Sequence, residues 1–434
     1  MNVQPNTENQ NGFKAVGMII AIIIVVWILY IIIKKVVINN NTLSSPGNIL
    51  SIKKQQIIFL NDRWSTRSQG KEGLSTQFTT TPQPQQLLIN TSVFATRLTG
   101  LLGPYTSGVF DEDNATRIAL SSGSRCLILE IDYDNNIYAP KLIYRDGWGM
   151  KQSINTANLT NVAKSIAARA FTPQNDGVPS AVAQDPLFVV VYFVRAPNQG
   201  TEKLEYMRYL GAVAEQLAPL RPLLLAQTPQ GDYRRQALES HLFFTDYHAF
   251  QNKIILLTNA DTSGFRNLQA LGLAGELGEN QDLDFMTHAR LYSRESPSPF
   301  GITSSPISSI KPAAVITSPG YWLSTPTDRA SSAIELTKEA WTIVMHPIST
   351  QSNQLDQKPI DNLFNIYGIQ SIPTTLFADP ASTDEFTGKD KHFSKAVWVA
   401  KPPLLQYVPP VAISIKNPYP QANSGGGAVV APKL

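Results

Sequence analysis

The sequence predicts an α/β protein built as a TIM-type (β/α)8 barrel and preceded by one N-terminal transmembrane helix. Short apolar runs of strand length alternate with helix-like stretches, which indicates parallel strands joined by crossover helices. The number of these runs suits a closed barrel. A stretch of 19 residues without a charge near the N-terminus predicts the membrane helix.

The uncharged stretch covers residues 15–33 and follows a polar N-terminal tail, residues 1–14, that we expect to be disordered. At about 1.5 Å per residue its helix is long enough to cross a bilayer. Trp27 and Tyr30 lie toward its C-terminal end, where interfacial aromatic residues are expected. A cleaved signal peptide, the alternative, has a shorter apolar region followed by small residues, whereas two lysines follow here. We therefore expect an uncleaved single-pass anchor.

The charges that flank the anchor predict its orientation. Lysines are more numerous after the anchor than before it, and the positive-inside bias then places the C-terminal part on the cytoplasmic side. Glycosylation would indicate the opposite orientation, and four Asn-x-Ser/Thr sequons are present, at Asn40, Asn90, Asn114 and Asn158.

Composition limits the classes of function. A hydrophobic fraction of 43% is that of a folded protein, and a net charge of +3 with 16% charged residues gives no indication of nucleic-acid binding. The single cysteine, Cys126, excludes a disulfide within the chain and favours a reducing compartment. No P-loop, Cys-x-x-Cys or Gly-x-Ser-x-Gly sequence occurs, so we predict no cofactor.

After the anchor the sequence predicts a stalk or linker at residues 34–86, a barrel at residues 87–410 and a flexible tail at residues 411–434. A Ser/Pro-rich stretch at residues 292–312 interrupts the barrel, and residues 47–59 are expected to form either a short strand or a piece of the stem. The predicted barrel strands are residues 87–90, 126–131, 141–144, 188–194, 254–259, 313–317, 342–345, 371–376 and 397–400. The predicted helices are residues 115–121, 158–170, 204–216 and 234–239.

The most informative stretch is residues 121–147. Its apolar run from Cys126 ends at Asp132, and Glu130 and Asp132 alternate with an apolar residue, so both acids point to one face of the strand. Functional sites of parallel barrels lie at the C-terminal ends of the strands. We therefore expect these two acids at the functional face.

This stretch resembles the X half of eukaryotic-type phosphoinositide-specific phospholipase C. In that family a Gly-Cys-Arg turn leads into a V-E-L-D strand, and the next strand carries Y-H-G. The corresponding residues here are Gly-Ser-Arg at 123–125, Leu-Glu-Ile-Asp at 129–132 and Tyr-Arg-Asp-Gly at 144–147. Weaker similarities follow in the same order at residues 185–191, 250–257 and 397–405. The Ser/Pro-rich stretch lies where the phospholipases carry the linker between their X and Y halves.

The resemblance implies a phosphodiesterase that uses two histidines and a calcium ion held by Asn, two Glu and Asp. The first histidine and the asparagine belong to an S-S-H-N-T motif, which falls here on Val93 and Phe94. The second histidine position is Arg145, and the late glutamate falls near Tyr192 or Phe193. Valine transfers no proton, and arginine stays protonated at neutral pH.

The acids that remain from the family pattern are Glu130 and Asp132, whereas calcium takes six to eight oxygen ligands. The resemblance therefore implies a degenerate, catalytically inactive site at Val93, Phe94, Glu130, Asp132 and Arg145, with no metal. The two acids either hold a relic cation or pair with Arg125 or Arg145, and we favour the ion pairs. None of the five histidines falls at a motif position.

The sequence thus favours an inactive barrel that is tethered to a membrane and serves as a structural or docking protein. Such degraded barrels are similar to proteins of large double-stranded DNA viruses, in which single-span minor capsid proteins connect an inner membrane to the capsid. We accordingly expect the membrane and capsid or membrane-associated proteins as partners, a capsid-facing barrel in a virion, and no nucleic acid. The alternative is a membrane-bound phosphodiesterase that acts on phosphoinositides or glycerophosphodiesters with a rearranged site.

Overall fold

The computed structural model describes residues 18–30, 45–65, 67, 70–79, 86–134, 137–146, 149–173, 178–225, 241–272, 275–278, 280–293, 312–324, 330–347 and 357–410. The strands are β1 (Thr91–Val93), β2 (Ala95–Thr96), β3 (Cys126–Asp134), β4 (Ile137–Leu142), β5 (Ala157–Asn158), β6 (Leu187–Phe193), β7 (Ile254–Thr258), β8 (Ala289–Ser293), β9 (Ala314–Thr317), β10 (Trp341–Val344) and β11 (Trp398–Ala400). After the N-terminal helix of residues 18–30, the α-helices are α1 (Pro46–Ser65), α2 (Leu74–Gln77), α3 (Glu112–Ser121), α4 (Leu159–Arg169), α5 (Lys203–Gln216), α6 (Leu283–Met286), α7 (Pro319–Leu323), α8 (Ala330–Glu339), α9 (Gln357–Asn365) and α10 (Pro380–Thr387).

The chain is a mixed α/β protein with a largely parallel sheet, as the sequence predicts. Within the described residues the main sheet has nine strands in the order β10-β9-β8-β7-β6-β3-β4-β5, with β2 also paired to β3. The β2/β3, β3/β6, β6/β7, β7/β8, β8/β9 and β9/β10 pairs are parallel, and β4 adds two antiparallel pairs. A separate antiparallel pair joins β1 to β11. The parallel strands therefore share one C-terminal edge.

The segment at residues 370–374 contacts both outer strands of the parallel series. The Val344 amide donates to the carbonyl of Ser371 at 2.9 Å, which joins the segment to β10. On the other side, the Thr374 amide donates to the carbonyl of Ala95 at 3.1 Å. The predicted strand at 371–376 is thus present as single bridges to β10 and β2.

Aromatic side chains fill the interior below the C-terminal edge. Phe188 of β6 stacks on Trp341 of β10 with ring centroids 4.4 Å apart, and Trp398 of β11 lies 6.2 Å from Phe188. All three side chains are fully buried. Residues from the first and second halves of the chain therefore share one core, and each such buried side chain stabilises the fold by about 1.5–3 kcal/mol.

The predicted short strand at 47–59 is wrong, because α1 occupies residues 46–65. Ile57, Leu60 and Trp64 recur at helical spacing, and Leu60 and Trp64 are buried against the sheet domain. The Trp64 indole N–H donates to the Leu376 carbonyl at 3.1 Å, and the Arg63 guanidinium donates to the Ala378 carbonyl. This part of the predicted 34–86 stalk is therefore a helix docked on the domain.

A second part of the predicted linker, residues 70–79, which we call the strap, also packs on the domain. The buried ammonium of Lys71 donates to the Phe393 carbonyl, and the Leu74 amide donates to a carboxylate oxygen of Asp185 at 2.9 Å. Gly73 approaches so closely that a Cβ would lie 2.2 Å from the carbonyl oxygen of Ala181. A sequence rich in Gly, Thr, Pro and Gln therefore does not make this segment a free linker.

Burial of Asp185 beneath the strap predicts a pH-dependent stability. Burial raises the pKa of this carboxyl from 3.8 to about 6, against the lowering effects of the Leu74 amide and Arg125. A raised folded-state pKa means that the stability contribution is fully present below pH 4 and is lost as the pH rises through 6. We expect Asp185→Asn, which keeps an oxygen for Leu74, to be more stable than the wild type by ~1–3 kcal/mol at pH 7. Urea unfolding between pH 4 and 7 measures this, and a difference independent of pH contradicts it.

Several other elements differ from the sequence prediction. The predicted strand at 87–90 is wrong, because residues 88–90 form a 3-10 turn that leads into β1. Leu88, Ile89 and Asn90 are buried in this turn, so their burial does not come from a strand. Strand β8 and helix α8 were not predicted. The predicted helix at 234–239 and most of the 292–312 interruption lie outside the described residues.

The N-terminal helix covers residues 18–30 and exposes its apolar side chains, with Met18 at 67% and Trp27 at 62% exposure. Both ends of the predicted 15–33 span, and the tails at 1–14 and 411–434, lie outside the described residues. In the part of the chain that is described, no helix combines the length and the apolar character needed to cross a membrane.

Candidate functional site

The candidate site lies at the C-terminal edge of the parallel sheet, where β3 presents Glu130 and Asp132. Both carboxylates are buried, with 5% and 1% exposure, and they lie on one face of the strand as predicted. Strand β3 holds them at this edge by pairing with β6 from Cys126 to Ile131. The Tyr209 hydroxyl also donates to the Asp132 carbonyl at 2.7 Å.

Glu130 is paired with Arg97, which directly follows β2. The Arg97 Nε lies 2.7 Å from Oε1 of Glu130, and its Nη1 donates to the His346 carbonyl at 2.9 Å. Burial acts to lower the pKa of Arg97, but the adjacent Glu130 carboxylate outweighs it and the pKa is raised overall. The Arg97 guanidinium is therefore positively charged.

Asp132 is bound by two arginines. Arg145, which follows β4, places its Nε 2.5 Å from Oδ2 of Asp132. Arg195, which follows β6, donates from Nε to Oδ1 and from Nη2 to Oδ2, the latter at 2.9 Å. The side chains of Arg145 and Arg195 retain 18% and 27% exposure, so they form the solvent-facing side of the site.

The preference for ion pairs over a cation agrees with this arrangement, but one predicted partner is wrong. Arg145 pairs with Asp132, as predicted. Arg125 lies elsewhere: its fully buried guanidinium donates to the carbonyl groups of Ala170 and Asp185. The reason is its position before the first residue of β3, at the opposite end of the strand from the acids.

Val93 and Phe94 do not join the site. Ala95 pairs with Cys126, so both residues precede the start of β3, and Glu130 lies roughly 13 Å further along the strand. Both side chains are buried in the core, where the Phe94 ring contacts Trp64 and Phe393. The expectation that they occupy the ligand edge is therefore wrong, and Arg97, which follows β2, lies at that edge instead.

Sequence reasoning missed Arg97 and Arg195. Arg97 lies two residues beyond Ala95, and the alternation of a strand places both on the side that carries Glu130. Arg195 follows a predicted strand in the manner of a C-terminal site residue. A systematic look for charged residues just after each apolar run would have found both arginines.

Three tyrosines surround the Arg97–Glu130 pair. Burial raises the pKa of Tyr144 and of Tyr192, and Glu130 adds to both shifts. Tyr105 donates or accepts a 2.7 Å hydrogen bond with the Thr375 hydroxyl, and its ring packs on Phe377. The phenols of Tyr144 and Tyr192 are therefore neutral hydrogen-bonding groups at physiological pH.

The calcium ion that the resemblance implies does not fit these residues. Calcium takes six to eight oxygen ligands, whereas both carboxylates here already bind guanidinium groups. Across the described ranges, no group of three or more His, Cys, Asp or Glu side chains is arranged to hold a metal. Three positive side chains at this edge also repel a divalent cation.

The described histidines occupy different places. His288 is buried away from the site, with its ring bonded to the Leu256 amide and the Leu225 carbonyl. His248 is exposed and pairs with Asp246. His346 follows β10, and its carbonyl contact with Arg97 places its backbone at the site. Sequence reasoning gave His346 no role.

Comparisons with known proteins bear on the fold. No protein-family model and no curated protein matches the sequence. The crystal structure of L. pealei PLC21 is similar, with a TM-score of 0.50 and 13% identity, over 78% of this chain and 39% of that chain. Two calcium-dependent phospholipases C also match: the phosphatidylinositol-specific enzyme from Streptomyces antibioticus (TM-score 0.41, 9% identity, 69% of this chain and 97% of that chain) and the phosphoinositol-specific enzyme from Pseudomonas sp. (0.39, 12%, 69% and 93%). The chain thus has a phospholipase C-like fold, and at these identities the likeness concerns the fold alone.

Proposed function

We propose that this protein is a catalytically inactive, phospholipase C-like barrel that is tethered to a membrane and acts as a structural or docking protein. One observation carries the proposal: both carboxylates at the C-terminal edge are engaged by arginines. An acid that is already neutralised by a guanidinium is poorly placed to hold a metal or to accept a proton. A general acid or base typically contributes about 10²–10⁴-fold to the rate.

Barrel closure is part of the proposal. The segment at 370–374 bonds to β10 on one side and to β2 on the other, which supports a ring of parallel strands without a free edge. The shared core of Phe188, Trp341 and Trp398 also supports it. A closed barrel resists edge-to-edge aggregation, and this property suits a protein retained for its shape.

The membrane tether rests on the apolar N-terminal segment. The side chains of residues 18–30 are exposed, and exposed apolar surface of this size marks a contact with lipid or protein. Helix α1, which begins at Pro46, docks on the barrel through Trp64. An anchored inactive barrel suits a minor capsid protein between an inner membrane and a capsid, with the barrel facing the capsid.

The second candidate is a membrane-bound phosphodiesterase with a rearranged site. The backbone of His346 contacts Arg97 at the C-terminal edge, and this favours the second candidate, because an imidazole that reached the site from there could serve as a general base. Arginine also binds phosphate well. The residues would then be His346 and the three arginines, instead of two histidines and calcium.

A turnover assay separates the two candidates. We expect the detergent-solubilised full chain to release no product from a phosphoinositide or a glycerophosphodiester, with or without millimolar calcium, under conditions in which an active phospholipase C does so. Turnover that disappears in His346→Ala would refute the inactive barrel and establish the phosphodiesterase. Turnover that persists in that variant would point to a contaminating enzyme, which a further purification step tests.

A further inference from the structure

The strap holds two buried ionisable side chains against the barrel. Lys71, on the strap, is 4% exposed, and Asp185, beneath it, is 3% exposed. A Cβ at Gly73 would lie 2.9 Å from Oδ2 of Asp185, so the strap backbone covers this carboxylate directly. Across the described residues neither side chain forms an ion pair: Lys71 donates to the Phe393 carbonyl, and Asp185 accepts from the Leu74 amide. A buried charge without a charged partner is costly, so each group opposes docking of the strap when it is ionised.

The docked strap pairs with the chain just before β11. The Glu72 amide donates to the Lys395 carbonyl at 2.9 Å, and the Val397 amide donates to the Glu72 carbonyl at 3.1 Å. The Glu72 side chain is exposed and accepts from Gln77 at 3.2 Å. Helix α1 has contacts of its own with the domain. The strap can therefore leave the domain while α1 stays docked.

The surroundings of Asp185 favour its neutral form. Burial raises its pKa from 3.8 to about 6, although the Leu74 amide and Arg125 act to lower it. Arg125 donates to the backbone carbonyl of Asp185 and not to its carboxylate. Tyr247 is a further titratable group beside it, and its raised pKa keeps the phenol neutral. The contribution of Asp185 to docking is therefore fully present below pH 4 and is lost as the pH rises through 6.

The surroundings of Lys71 favour its neutral form as well. Burial lowers its pKa from 10.5 to about 8, and Arg67 acts in the same direction. His392, on the turn before β11, stays neutral because burial lowers its pKa to about 3. The charged residues of that turn are one that pairs with Glu385 and three that are exposed, namely Lys391 and then Lys389, Asp390 and Lys395. With a lowered folded-state pKa, Lys71 strengthens docking as the pH rises from 8 to 10.5.

We propose that the strap is a pH-responsive latch between the N-terminal segment and the barrel, closed most firmly in acid and in alkali and loosest near neutral pH. Near pH 7 the docked strap buries both the Lys71 ammonium and the Asp185 carboxylate in charged form, and its release returns both to water. Release also frees the Lys395 carbonyl and the Val397 amide to pair with another extended segment. The latch controls how firmly the barrel is joined to its anchor, and that role, but not the pH dependence, rests on the proposed membrane tether.

The test is hydrogen–deuterium exchange of the full chain in neutral-detergent micelles at pH 5, 7 and 9. Exchange of the strap peptide is corrected for the intrinsic amide rate at each pH, which gives a protection factor. We expect this factor to be about tenfold higher at pH 5 than at pH 7, and about tenfold higher at pH 9 than at pH 7. Strand β6, which is buried throughout, is the internal reference for global unfolding and should stay protected at all three pH values.

Two variants separate the two groups. Asp185→Asn keeps an oxygen for Leu74 but cannot ionise, so we expect it to remove the difference between pH 5 and pH 7 and to keep the one between pH 7 and pH 9. Lys71→Met keeps an unbranched side chain without the charge, and it should do the reverse. Glu276→Gln, at an exposed pair with Arg208, is the matched control and should keep both differences.

Each outcome decides the inference. Loss of its own difference in each variant, with both kept in the control, supports the latch. Protection of the strap that is equal at all three pH values, a pH dependence that either variant leaves unchanged, or exchange of the strap only together with β6 overturns it. Failure of the chain to associate with lipid vesicles would overturn the proposed tether and leave the latch in place, so the two proposals fail separately.

Discussion

Replacing Asp132 with alanine is expected to lower the free energy of unfolding by about 3–5 kcal/mol. Asp132 is 1% exposed and is the shared partner of Arg145 and Arg195. Its removal takes away the carboxylate that two half-buried guanidinium groups share, and breaking a buried pair costs more than the pair itself contributes. Chemical denaturation at pH 7 measures the change, and we expect it to exceed that of most single substitutions.

The matched control is Asp384→Ala. Asp384 also pairs with an arginine, Arg67, but its side chain is 53% exposed. Exposed pairs contribute about 0–1 kcal/mol, so the control should unfold close to the wild type. If both variants lose the same small amount of unfolding free energy, Asp132 does not bind Arg145 and Arg195 in solution as it does in the structure.

A triple variant separates charge from packing. Asp132→Leu combined with Arg145→Met and Arg195→Met removes the whole group of charges and keeps similar volume. Replacing a buried ion network with apolar residues is often neutral or stabilising. We therefore expect the triple variant to recover much of the stability that Asp132→Ala loses.

The sequence predicted the acids of the site but only one of its three arginines. Glu130 and Asp132 share a strand, so their common face follows from the period of two along a strand. The arginine partners lie far along the chain, since Arg97 and Glu130 are 33 residues apart and Arg195 and Asp132 are 63 apart. That proximity depends on the register of β2 and β6 on β3, which no local pattern specifies.

In the fold, too, the sequence predicted the elements that follow from local patterns and missed those that depend on tertiary contacts. Strands β6 and β7 are continuous apolar runs and β3 begins with one, and the sequence predicted all three to within a few residues. Helix α1 was missed because its polar residues outnumber its buried ones, and its stability comes from docking of Leu60 and Trp64 on the domain. The site position of Val93 was wrong because it rested on a short motif that does not fix strand register.

The prediction that residues 87–410 form one barrel can be tested with a truncated chain. A chain that ends at Ser293 lacks β9, β10, β11 and the segment at 370–374. Strand β8 then loses its partner β9 and β2 loses its contact with residue 374, so each strand leaves one edge unpaired, and unpaired strand edges are aggregation-prone. Trp341 and Trp398 are also lost from the core around Phe188.

We therefore expect the truncated chain to show no cooperative thermal transition and to aggregate, which amounts to loss of the whole free energy of folding, about 5–15 kcal/mol. The informative control keeps both parts of the chain. A protease site is introduced within residues 292–312, and the protein is cut there after it has folded. The cut protein retains the pairs β8/β9 and 370–374 with β2, so it should melt cooperatively and keep its two pieces together. A soluble fragment ending at Ser293 with a cooperative transition of its own would show that the two halves are separate folding units. The strands would then not form one closed ring.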